Sequence, residues 1–96
     1  MLNIKILGPG CANCFILEGL TIAVLEFMAE DGSAAFDLEN VTLQHLTQPE
    51  DFKRYKVLFT PGLVVDEKLV CAGRLPSVLE IREWLEAALG RSEPEE

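Results

Sequence analysis

Apolar and polar positions along the chain fall into short segments of two periods. Leu2 to Leu7 sets Ile4 and Ile6 on one side and Asn3 and Lys5 on the other, the alternation of a short strand. After Gly8-Pro9-Gly10 a long apolar run begins. It predicts a helix from Cys11 to about Glu30, closed by Asp31-Gly32. Leu17, Thr21, Val24, Leu25 and Met28 form one stripe of that helix, suited to packing on a sheet. Ile16, Leu20, Ala23 and Phe27 form a second stripe about 100° round, extended by Phe15 and Ile22. Asn40 to Leu46 alternates again, with Val41, Leu43 and His45 on one face. Thr47-Gln48-Pro49-Glu50 then reads as a helix start, with Thr47 as cap and a short helix to about Tyr55.

Leu63 to Asp66 and Leu69 to Ala72 are two short apolar strands joined through Glu67-Lys68, the spacing of a hairpin. Ser77 and Glu80 have capping-box spacing, and the helix they open carries Leu79, Trp84, Leu85, Ala88 and Leu89 as far as Gly90. The order is β-α-β-α-β-β-α. Residues 1–90 form one domain, and 91–96 (RSEPEE) a frayed acidic tail.

Length and charge narrow the function. Ninety-six residues allow one modest core, and a formal charge of −8 opposes binding to nucleic acid or an anionic membrane. Lys53, Arg54 and Lys56 cluster, as a solvated helix face does. Phe15 to Met28 is apolar, but it is shorter than the roughly 20 residues of a span and contains Glu18 and Glu26, so no membrane insertion is expected. Three cysteines, an odd number, with no cationic leader in view, point to a reducing, cytoplasmic setting.

Cys11-Ala12-Asn13-Cys14 carries the chemistry. At a helix start the unpaired N–H groups and the dipole stabilise a thiolate. Such a pair can be a redox couple, half of a metal site, or inert thiols. Cys71, in a predicted apolar strand, reads as a packed thiol; His45 reads as a packed or edge histidine, and no metal site is expected. Thr60-Pro61 stands at a strand entry, where proline marks an edge or a special turn.

These residues together resemble the thioredoxin superfamily, and more narrowly its small thioredoxin- and glutaredoxin-like redox-active disulfide proteins. The resemblance rests on Lys5-Ile6-Leu7-Gly8, the cysteine motif, Tyr55, Val57, Thr60-Pro61, Leu63-Val64-Val65-Asp66 and Gly73-Arg74-Leu75-Pro76-Ser77, and reaches to about residue 89. It implies a four-stranded mixed sheet flanked by helices. It implies Cys11 as attacking thiolate, Cys14 as resolving thiol, and a cis bond at Thr60-Pro61 facing them, with the Thr60 backbone pairing to an extended substrate. No cofactor is implied. The expected partners are protein disulfides and an external reductase. The runner-up is a soft-metal, copper-type carrier, whose fold would run β-α-β-β-α-β; a third reading is an interaction module with vestigial cysteines.

A helix apolar nearly all round is normally covered on every side. Ile16, Leu20 and Phe27 are therefore expected to form an interaction surface, for a homodimer or a docking partner, unless the loop Ser33 to Glu39, with Phe36 and Leu38, folds over it.

Overall fold

The structure is a computed structural model and describes residues 2–10, 12–30, 39 and 41–91. The elements are β1 (Leu2–Leu7), α1 (Ala12–Glu30), β2 (Val41–Leu46), α2 (Pro49–Arg54), β3 (Gly62–Val65), β4 (Lys68–Ala72) and α3 (Val78–Arg91). The strands form one mixed sheet in the order β2-β1-β3-β4. β1 pairs parallel with β2, because α1 carries the chain back across the sheet; β3 is antiparallel to both β1 and β4.

β1 is covered on both faces. On one face Leu2, Ile4 and Ile6 join Leu63 and Val65 beneath α1 and α3. Cys14, Leu17, Thr21, Val24, Leu25 and Met28 are the buried residues of α1, so its inner stripe is the one anticipated. Thr21 is satisfied there by donating its hydroxyl to Leu17 O at 2.8 Å. By length and composition α1 is able to cross a membrane; here its inner stripe builds the larger core. α3 buries Ile81, Leu85 and Ala88, with Trp84 and Leu89 packed at the margin. Leu79, expected among the core residues of α3, is exposed, because it lies about 200° round the helix from Ile81. Truncating a fully buried side chain here, such as Leu85 to Ala, costs about 2–5 kcal/mol.

The second face packs Leu7 and Val64 against Tyr55 and Val57, with Phe52 of α2 beside them. Lys5 points here too. Its alternation with Ile4 suggested a solvated face, yet it is 9% exposed because Tyr55 closes over it. A buried ammonium needs partners. Lys5 Nζ donates to Tyr55 Oη at 2.6 Å and to Glu67 Oε2 at 2.5 Å, and Tyr55 Oη donates to Glu67 Oε1 at 2.7 Å.

That triad holds the hairpin turn. Asp66 (φ 51°) and Glu67 (φ 70°) are the two turn residues, so the link sits one residue earlier than expected and Lys68 already belongs to β4. Positive φ at two non-glycine residues disfavours the turn by about 1–3 kcal/mol each. Both are tied back: Glu67 to Lys5 and Tyr55, and Asp66 by accepting the Asn3 N–H at Oδ1 (2.8 Å) while its own N–H donates to Asn3 O (2.7 Å).

Two helix starts differ. At α3 the capping box forms as its spacing predicts: Glu80 N–H donates to Ser77 Oγ (3.1 Å) and Ser77 N–H donates to Glu80 Oε1 (2.9 Å). Arg74 also grips Glu80 with two bonds of 3.0 and 2.9 Å; that pair first, then the Ser77 N–H, pushes the Glu80 carboxyl down to about 2. At α2 the cap is Gln48, not Thr47, and its side chain makes no capping bond. Pro49 opens the helix one residue later than a Thr47 cap allows, and it needs no N–H partner there.

The triad predicts a pH response at both ends. The Lys5 hydrogen bond, then that of Tyr55, holds Glu67 below the usual carboxylate range. A lowered acid adds stability above its unfolded value and loses it as pH falls through its folded value. The Glu67 and Tyr55 bonds raise Lys5, so its contribution is present below the ordinary lysine value and lost as pH rises through the raised one. Denaturant melts of Glu67→Gln should therefore show a smaller loss of stability below about pH 4 than wild type. Tyr55→Phe should cost about 1 kcal/mol at neutral pH. Parallel acid limbs for wild type and Glu67→Gln would contradict the assignment.

Candidate functional site

The site forms where the ends of β1 and β2, the start of α1 and the entry to β3 converge. Gly8 follows β1 and donates its N–H to Leu46 O at 2.9 Å, which holds it at the sheet's edge. Gly10 adopts φ 96°, a left-handed turn open to glycine, and the chain then enters α1. Cys11 lies outside the described residues. Ala12 and Asn13 are exposed, and Cys14 is fully buried.

Cys14 is the third residue of α1, among the first four whose N–H groups have no intrahelical acceptor. No carboxylate stands in the first turn to oppose a thiolate. The position of its sulfur is set by Gly8. A Cβ built on Gly8 would overlap Cys14 Sγ outright and would lie 3.7 Å from Thr60 Cβ. The thiol therefore fills the place of the missing side chain, in a space that Thr60 also borders.

The Thr60–Pro61 peptide bond is cis. Thr60 is half-buried and Pro61 buried. Pro61 O accepts the Gly73 N–H at 3.0 Å, joining this loop to the end of β4. Gly73 (φ 83°) lets Phe59 lie against the backbone: a Cβ there would stand 3.0 Å from Phe59 Cβ. Leu58 and Phe59 remain 85% and 71% exposed beside Thr60. Neither glycine contact nor this apolar pair was read from the sequence. Their signals were present: a glycine three residues before the motif, and two large apolar residues ahead of Thr-Pro with no helix or strand period to bury them.

The remaining residues of interest lie around this centre. His45 packs on α1, edge to face with Phe15 (5.6 Å between rings), with Nδ1 3.7 Å from Glu18 Oε1 and Nε2 buried with no hydrogen-bond partner among the described residues. Cys71 is buried in β4, and burial pushes its thiol up. Ile16 and Phe27 are exposed on the outer face of α1, whereas Leu20 is half-buried against the larger core. Phe36 and Leu38, considered as a cover for that face, lie outside the described residues. Among the described residues no three His, Cys, Asp or Glu side chains are grouped to hold a metal ion.

The Gly8 contact generates a stability test. Gly8→Ala should destabilise the protein by about 1–3 kcal/mol through overpacking. In a Cys14→Ala background the same change should cost at least 1 kcal/mol less, since the sulfur is gone. Equal costs in both backgrounds, read from denaturant melts, would mean that Gly8 and Cys14 do not meet.

Comparison with known proteins agrees with this geometry. Residues 2–86 match a family model described as a thioredoxin domain. A protein named thioredoxin from Methanocaldococcus jannaschii is 32% identical over 90 residues, covering 93% of this chain and 92% of that one. The solved human ERp44, in a zinc-bound form, matches in fold with a TM-score of 0.59 at 12% identity, covering 90% of this chain and 26% of that chain. The present chain thus spans about a quarter of ERp44, and the likeness concerns the fold alone. Element order, sheet topology, family model and relative all agree, and the chain belongs to the thioredoxin family.

Proposed function

We propose that this protein is a thiol–disulfide oxidoreductase that uses Cys11 and Cys14 on disulfides of cytoplasmic proteins. The family suggests thiol–disulfide redox chemistry in general terms. The observation that supports the finer reading is the convergence of Gly8, Cys14 and Thr60: the fully buried sulfur of the second motif cysteine fills the space at Gly8 that Thr60 also borders.

The exchange runs in two steps. The Cys11 thiolate attacks one sulfur of a partner disulfide, forming a mixed disulfide and releasing the partner's first thiolate. Cys14 then loses its proton and attacks Cys11 sulfur, breaking the mixed bond and releasing the second partner thiol. The dithiol gives up two electrons and two protons in all, the partner disulfide is reduced, and an external reductase restores the pair. Full burial suits Cys14 to this second, intramolecular role. Thr60 offers backbone groups to an extended substrate segment, with Pro61 behind it, and strand addition of this kind tolerates varied partner sequences. Leu58 and Phe59 give that segment an apolar border. The copper-carrier reading has less support, because α2 stands between β2 and β3, where the β-α-β-β-α-β order has two consecutive strands.

Single Cys→Ser variants test the roles. Cys14→Ser should accumulate a mixed disulfide through Cys11 with a model protein disulfide and lose at least about 100-fold in turnover. Cys11→Ser should trap nothing, and Cys71→Ser should keep near wild-type turnover. Full turnover in Cys14→Ser, or its loss in Cys71→Ser, would reject the assignment.

A further inference from the structure

Leu58 and Phe59 are the two most exposed large apolar side chains among the described residues, and they stand directly before Thr60. Neither joins either core. Their backbone is nevertheless held on both flanks. Ahead of them Val57 is buried and donates its N–H to Phe52 O at 2.8 Å. It packs so closely on Gly62 that a Cβ there would stand 3.0 Å from Val57 Cγ2. After them Pro61 O accepts the Gly73 N–H, and Phe59 itself lies on the bare backbone of Gly73. The pair is thus presented to solvent by an anchored segment.

Charge is absent from the segments around them. The chain has eight Lys and Arg and sixteen Asp and Glu. None falls in residues 6–17, 40–49, 57–65 or 69–73, the stretches that carry the site end of the four strands. Arg74, the first charge after Gly73, is gripped by both carboxylate oxygens of Glu80. A partner carboxylate or ammonium laid on Leu58 and Phe59 would lose water without a counter-charge from these stretches. A partner Leu or Phe would instead shed water together with them, which is favourable.

We propose that Leu58 and Phe59 are specificity-determining residues that select partner disulfides whose cysteine is flanked by large apolar side chains. The selection rests on the thiol–disulfide reading and gives it a class of partner. The occupant is the stretch on either side of the partner cysteine. During exchange its backbone lies along Thr60, and Leu58 and Phe59 are the residues that lead the chain into Thr60. They form an open border and not an enclosed pocket, so the preference is at the low end for apolar recognition, about tenfold. Acidic flanks are disfavoured further by the net charge of −8.

The test gives the reduced protein two symmetric peptide disulfides, the dimers of acetyl-Gly-Leu-Cys-Leu-Gly-amide and acetyl-Gly-Ser-Cys-Ser-Gly-amide. Both are uncharged, so the charge of the chain does not bias the comparison. Second-order rates are read from released peptide thiol and divided by the rate of each disulfide with mercaptoethanol, which removes intrinsic reactivity. Wild type should favour the leucine peptide about tenfold. Leu58→Ser/Phe59→Ser should bring the ratio below about threefold with unchanged circular dichroism. Leu58→Met/Phe59→Leu, which keeps an apolar border, should retain the preference. So should Phe27→Ser, which removes an exposed apolar side chain about 20 Å along α1 from Cys14. A wild-type ratio near one, a ratio unchanged by the double serine variant, or its loss in Phe27→Ser would overturn the proposal and leave the redox reading standing. Reduction of neither peptide would overturn both.

Discussion

The absent side chain at Gly8 is the constraint from which the rest of the site follows. Cys14 Sγ occupies the volume that a Cβ would take. With a larger residue at position 8, α1 would have to lift from the sheet edge or rotate, and either movement would shift the whole inner stripe from Cys14 to Met28. The same glycine uses its N–H to close β2 onto the edge through Leu46 O. One small residue thus seats the helix, places a sulfur beside Thr60 and completes the sheet.

The two ends of β1 do different work. Its last residues lead into Gly8 and the turn to α1. Its other end is held to the β3–β4 turn by reciprocal Asn3–Asp66 bonds and by Lys5, Tyr55 and Glu67. β3 runs antiparallel between these ends, from Pro61 at the site to Asp66 at the turn. The polar staple therefore fixes the register that presents Thr60–Pro61 to Cys14, although none of its members is in the site. Burying Lys5 is tolerable because both its hydroxyl and its carboxylate partners are within hydrogen-bond reach.

Much of this was legible beforehand, for identifiable reasons. Element order follows from period changes and punctuating residues, and α1's inner stripe is legible because about five turns of helix repeat one signal. The α3 cap is legible because its spacing has a mechanism, whereas Thr47 offers a capping hydroxyl too but loses the cap position to Gln48. The Lys5 environment was not legible: alternation marks a side of a strand, not what covers that side, and Tyr55 covers it from fifty residues away. Leu79 misled for a similar reason, since an apolar residue near a helix start is counted with the core until its angle is compared with Ile81. Cys14 and Thr60 were singled out by motif, but the glycine that brings them together became visible only with three-dimensional packing. Phe59 on Gly73 is the same case.

The central claim is that Cys14 forms a working couple with Cys11 and that Cys71 stands outside it. Equilibration of the wild-type protein in thiol–disulfide buffers, with alkylation and mass-spectrometric mapping at each potential, tests this most directly. The expected result is one reversible two-electron transition between roughly −120 and −320 mV, in which Cys11 and Cys14 are lost to alkylation together and Cys71 is alkylated throughout. A major intramolecular bond that includes Cys71, or no intramolecular bond across that range, would contradict it.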